Sequence, residues 1–99
     1  MKAKLFTGAA GERYLGLVRQ LDCVCCELLG QQQEHPTEAH HPRTGQGKSQ
    51  KAPDTLAAAL CSACHRDRLG VHGDKTLMKI LKVDELDFTA MTIARIAGV

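Results

Sequence analysis

Two Cys-x-x-Cys pairs, Cys23 with Cys26 and Cys61 with Cys64, stand 34 residues apart and constrain this chain more than any other feature. Two thiolates at that spacing grip one ion, and two such pairs complete the four ligands of a closed tetrahedral zinc site. Closed sites are structural, because no position is left for water or substrate. The intervening residues must leave the metal and return to it, which is room for a hairpin and a loop. A redox Cys-x-x-Cys belongs at a helix start within a βαβ pattern, and that pattern is absent. Cys25, the odd thiol of Cys23-Val24-Cys25-Cys26, is expected in the core as a small hydrophobe.

Composition supports a staple. The 99 residues, read as one domain, contain no Trp, one Tyr and two Phe, so large core-filling side chains are scarce. Chains of this size gain little from burial alone and lean on an added cross-link. Five cysteines are an odd count for a disulfide framework, and Met1 to Thr7 lacks the apolar core of a secretory signal. The expectation is a reduced, cytoplasmic setting in which paired cysteines hold metal. No stretch approaches the roughly 18 apolar residues of a membrane span. The net charge of +2 decides little, but Arg43, Lys48 and Lys51 lie near the histidines and form a modest positive rim suited to phosphates.

In chain order, residues 1–11 read as a flexible arm. Tyr14, Leu15, Leu17, Val18 and Leu21 recur at helical spacing, so a helix is expected over Glu12 to Leu21. Gln31 to Thr37 is too polar for core and reads as loop, followed by a short strand over Thr37 to His41. Pro42 to Pro53, with Gly45, Gly47, Lys48, Ser49 and Lys51, reads as an exposed loop. Asp54 or Thr55 starts the return. Leu56 to Leu60 is expected as a short strand even though the alanines 57–59 favour helix. A helix begins near Cys64 and breaks at Gly70 and Gly73. Asp74 caps a helix over Lys75 to Lys82 with an apolar stripe of Leu77, Met78, Ile80 and Leu81. Asp84 caps a last helix through Ala97, with Leu86, Phe88, Met91, Ile93 and Ile96 packing inward. The sum is an α+β fold: a zinc-stapled core over 12–73 and C-terminal helices over 74–99.

Four of the five histidines adjoin motif residues. Neighbours in a strand point to opposite faces, so His40 and His41 can take different roles. One can bind metal while the other, neutral near pH 7, removes a proton from water. His65 follows Cys64 at a helix start, and His72 falls on the same side if the chain turns at Gly70. His35, in the polar run, reads as an ordinary surface histidine.

These segments together, Cys23/Cys26, Ala39-His40-His41, Leu60-Cys61-Ser62-Ala63-Cys64-His65 and Gly70-Val71-His72-Gly73, resemble the HNH (His-Me finger) endonuclease superfamily over about residues 13–73. The resemblance is in particular to its small phage and prophage recombination-associated members. The resemblance implies a zinc-stapled ββα-metal, treble-clef-like finger with flanking helices, hydrolysing phosphodiester bonds in DNA during recombination or repair. It implies His41 as general base and His40 and His65 as ligands of a catalytic divalent ion, Mg²⁺, Mn²⁺ or Zn²⁺. His72 matches a Gly-x-His-Gly element as a further ligand or phosphate contact. The family's middle Asn has no counterpart here; Asp54 or Thr55 lies near its position, and Asp54 is the candidate partner of His41. Arg43, Lys48 and Lys51 would contact flanking phosphates, with DNA and a recombination protein as partners.

Two other readings use the same residues. A non-catalytic zinc module would bind nucleic acid or protein with its histidines dispersed, and scarce aromatics argue against a base-stacking platform. A thiol redox protein would need a reactive Cys25 and no tightly held zinc. Convergence of His40, His41 and His65 on an open metal position separates the nuclease from the binder.

Overall fold

A computed structural model describes residues 8–47 and 50–99 of the chain. Its first helix, α1 (Gly8–Arg19), starts earlier than the apolar periodicity indicates. Ala9 and Ala10 are strong helix formers, and Gly11 is buried with Leu15 and Val18 at i, i+4 and i+7. Residues 8–11 of the expected arm are therefore helix, and residues 1–7 lie outside the described residues. Leu17, expected on the packed face, is 48% exposed.

The first cysteine pair is the opening turn of a helix rather than a free-standing turn. Cys23 is the extended N-cap of α2 (Val24–Leu29), and its Sγ accepts from the Cys26 N–H at 3.3 Å. Gly30, in the left-handed conformation, closes that helix.

Strands β1 (Thr37–His40) and β2 (Ala58–Cys61) pair antiparallel, with Thr37 opposite Cys61 and His40 opposite Ala58. A short 3-10 turn, Asp54–Leu56, leads into β2. All four residues of β2 are buried, which decides their conformation against the helix propensity of alanine. Small side chains let the neighbouring helices approach the strand closely. Cys61 is also the N-cap of α3 (Ser62–Arg66), so both cysteine pairs open helices.

Two helices complete the fold. In α4 (Thr76–Leu81) Met78 is buried and Leu77 and Leu81 pack against the core, but Ile80 is 65% exposed and off the expected stripe. Asp74 sits one residue outside the N-cap Lys75 and accepts from the Thr76 N–H and hydroxyl. Helix α5 (Glu85–Ala97) begins with a capping box between Asp84 and Asp87. Its buried face is Glu85, Phe88, Thr89 and Thr92. Leu86 and Ile93, expected to face inward, are exposed. The reason is the strand it covers: the Ala59 N–H donates to Thr92 Oγ1 at 3.0 Å, and the Thr89 hydroxyl donates to Leu56 O at 2.6 Å. Backbone groups that a two-stranded sheet leaves unpaired need partners, and threonines supply them where leucines cannot. No described helix is long and apolar enough to cross a membrane.

Candidate functional site

The sequence spacing of the cysteines becomes a compact four-sulfur cluster. Helix α2 brings Cys23 and Cys26; the β2 to α3 junction brings Cys61 and Cys64. All four are buried, with their sulfurs within 4.8 Å of one another. Cys26 Sγ is 3.7 Å from Cys61 Sγ and 3.8 Å from Cys64 Sγ. A regular tetrahedron with Zn–S bonds of about 2.3 Å has S–S edges of about 3.8 Å, whereas a disulfide needs about 2.05 Å. The arrangement fits a structural ion and no disulfide. Burial above all pushes the Cys26 thiol up to about 11, and Cys23 is raised chiefly by its contact with Cys64. Thiols packed together in this way ionise readily only beside a cation. Cys25 is buried in the core, as expected of a thiol left out of the set.

A second convergence involves imidazoles. His40 ends β1, His65 lies in α3, and His72 follows the Gly70 turn; one ring nitrogen from each lies within 4.8 Å of the others. Ring centroids are 4.9 Å apart for His40 and His65, 5.1 Å for His40 and His72, and 4.7 Å for His65 and His72. Burial holds His40 and His65 below the ordinary imidazole range, against the opposing pull of Glu85 and Glu38. Both are therefore neutral near pH 7, the state that binds a metal. His40 is buried, His65 half-buried and His72 exposed, so the cluster is closed behind and open in front.

Two glycines make the position of His72 possible. The chain after α3 folds back on it, with the Val71 N–H donating to Cys64 O at 2.9 Å and the His72 N–H to His65 O at 3.0 Å. A Cβ on Gly70 would stand 2.4 Å from Cys64 O, and one on Gly73 would stand 2.0 Å from Arg68 O. Backbone stacked this closely has no room for a side chain.

His41 lies one residue past β1 and outside the three-histidine group, so of the three residues expected to converge, His40 and His65 meet, joined by His72, and His41 does not. Its Nε2 is 2.7 Å from Asp54 Oδ1, so of the two residues near the missing Asn, Asp54 is the one that meets the ring. A carboxylate oxygen accepts, so Nε2 is the ring nitrogen that meets Asp54 and Nδ1 is turned away from it. The basic rim is less free than charge alone implies. Arg43, expected at phosphates, clasps its own loop through the carbonyls of Gln50 and Gly47. Lys51 is exposed, and Lys48 lies outside the described residues. His35 is exposed and belongs to neither ligand group.

Two carboxylates at the site escape sequence reasoning. Glu38 accepts from His65 Nδ1 at 2.8 Å and from the Arg66 guanidinium, 2.6 Å at the closer nitrogen. Its place two residues before His40, on the same strand face, is a signal that was available. Glu85 lies against His40, with Oε2 2.5 Å from Nε2. No local signal marks it, because an acidic residue in a helix's first turn is the ordinary complement to the helix dipole. Comparison with protein-family models, curated proteins and solved structures gives no match to this chain.

Proposed function

We propose that this chain is a metal-dependent endonuclease of the HNH type, hydrolysing phosphodiester bonds in DNA in the cytoplasm, in recombination or repair. The observation that carries the reading is the convergence of His40, His65 and His72, with the next residue after His40 held separately as a His41–Asp54 pair. A non-catalytic zinc module has no need of three imidazoles meeting at an open edge, nor of a fourth imidazole held by a carboxylate. The order β1, β2, α3, pinned by four cysteines, is consistent with a ββα-metal finger of treble-clef-like build.

The chemistry follows from the side chains. His40 Nδ1 is buried with no partner among the described residues, and an orphaned ring nitrogen of that kind is accounted for when it faces a cation. A divalent ion such as Mg²⁺, Mn²⁺ or Zn²⁺ held by the three histidines would supply charge to offset the scissile phosphate and the leaving 3′ oxygen. His41 takes a proton from the attacking water on Nδ1. Asp54, bonded to Nε2–H, fixes the ring's orientation and favours the imidazolium that forms. Lys51 is free to meet a flanking phosphate, whereas Arg43 shapes the loop that carries such contacts. DNA is the substrate, and a recombination protein is the partner that would deliver it.

The test is plasmid nicking with Mg²⁺ or Mn²⁺ by wild type and by His41→Ala at equal metal content. Loss of a positioned base lowers the rate by about 10²- to 10⁴-fold. Equal rates, or no cleavage by either protein with any ion, would reject the reading.

A further inference from the structure

Helix α5 lies beyond the nuclease-like motifs, yet its first residue reaches the histidine cluster. Glu85 is almost fully buried, and its two oxygens have separate tasks. Oε2 is 2.5 Å from His40 Nε2. Oε1 accepts from the Arg43 N–H at 3.0 Å, the Thr44 N–H at 3.1 Å and the Thr44 hydroxyl at 3.0 Å. One carboxylate thus ties the His40 ring to the loop that follows His41. Three donors on Oε1 fix the carboxylate in a single orientation, leaving Oε2 to face the imidazole as an acceptor.

From this geometry we infer that Glu85 is a positioning residue which sets the tautomer of His40, and thereby decides whether the three-histidine site can hold an ion. An acceptor against Nε2 requires the proton there, so Nδ1 is the nitrogen left with a lone pair. Nδ1 is also buried with no partner among the described residues. His65 is held the other way round: Glu38 occupies its Nδ1, leaving Nε2 to coordinate. The two histidines therefore offer opposite ring nitrogens, each fixed by its own carboxylate, an arrangement that orients metal-binding imidazoles and raises their basicity. The inference rests on the reading of His40, His65 and His72 as metal ligands.

Glu85→Gln separates this role from a purely structural one. Glutamine has the same shape, and the three loop donors would claim its carbonyl oxygen. Its NH₂ must then point at His40 Nε2, which can answer only as an acceptor, so the ring proton moves to Nδ1 and blocks the ligand atom. Thr44→Val removes one loop contact and leaves Oε2 in place, so it reports the effect of loosening the loop.

The experiment has two readouts, both on protein retaining its cysteine-bound metal. Nitrogen-15 NMR of the histidine rings reads the tautomer, and titration with Co²⁺, followed by absorption, reads affinity at the second site. Wild type is expected to carry the His40 proton on Nε2 and Glu85→Gln on Nδ1. The variant should lose about 10- to 100-fold in affinity, with Thr44→Val near wild type. A wild-type His40 protonated on Nδ1 would overturn the inference without recourse to any variant. So would a Glu85→Gln protein that keeps the Nε2–H form or binds Co²⁺ as wild type does. Tautomers that differ as expected in a wild type that takes no second ion would instead overturn the metal-site reading beneath it.

Discussion

Replacing Cys26 by Ser should cost this protein much of its fold. The buried apolar residues among those described number sixteen, of which five are cysteines and four are alanines. Only Leu15, Val18, Val24, Leu60, Val71, Met78 and Phe88 are larger, so the four-sulfur cluster occupies the place a hydrophobic core would fill. Structural zinc contributes on the order of 10–16 kcal/mol in small domains, while a whole domain of this kind is stable by only about 5–15 kcal/mol. A serine hydroxyl does not ionise near neutral pH. Losing one ligand of four therefore removes about a quarter of the metal's contribution, about 3–4 kcal/mol. At about 4–8 °C per kcal/mol for a domain of this length, the melting midpoint falls by about 12–30 °C. Complete chelation removes a contribution as large as the whole stability of such a fold. Circular dichroism melts with matched elemental analysis measure both effects, and thiol titration gives an independent readout. None of the five cysteines, all buried, should react before chelation, and all should react afterwards. A chelated protein that melts cooperatively with its thiols protected would refute the reasoning, as would Cys26→Ser at an unchanged midpoint.

Other consequences are narrower. Gly73→Ala places a methyl 2.0 Å from Arg68 O and must lift the turn carrying His72; titration with Co²⁺ should show weakened binding at the histidines while elemental analysis finds the cysteine site full. Thr92→Val keeps shape but leaves the buried Ala59 N–H without its acceptor, a cost of about 1–3 kcal/mol that denaturant unfolding would register. Stability should also fall with acid. His40 and His65 are held below the ordinary imidazole range, chiefly by burial, so the unfolded chain takes up protons first and their contribution, complete above about pH 6.5, drains as pH falls. Glu38 is lowered chiefly by Arg66, and in Glu85 the donors from His40, Arg43 and Thr44 outweigh the upward push of burial. For both, stability is present above about pH 4.3 and lost as pH drops through the folded value. Melts across this range, with metal confined to the cysteines, should show decline in both windows; a flat profile would contradict the assignments.

What the sequence conveys about this molecule is its ligands more than its scaffold. The Cys-x-x-Cys spacing marks four residues that do meet, because two such pairs in one short chain make up the ligand set of a single ion. The doublet His40-His41 splits where β1 ends, one ring to the cluster and one to Asp54. Helix α1 runs past its apolar stripe because alanines extend it without a periodic signal. The inward face of α5 is polar because it must satisfy β2, a demand set by a strand about 30 residues away and invisible to hydropathy. Glu85 is hidden for the same reason: its partner lies 45 residues upstream, and only the packed fold brings them together. Arg43 misleads because a cation in a Gly-rich loop can as readily cap that loop's carbonyls as wait for a phosphate.

The most direct measurement is anomalous scattering from crystals grown with Mn²⁺, recorded on both sides of the zinc edge. The account predicts zinc within the Cys23, Cys26, Cys61, Cys64 cluster at about 2.3 Å from each sulfur. It also predicts a second ion bound by His40 Nδ1, His65 Nε2 and His72, with coordination positions open to solvent. A lone zinc with His40, His65 and His72 pointing apart would contradict it and leave the chain a structural zinc module.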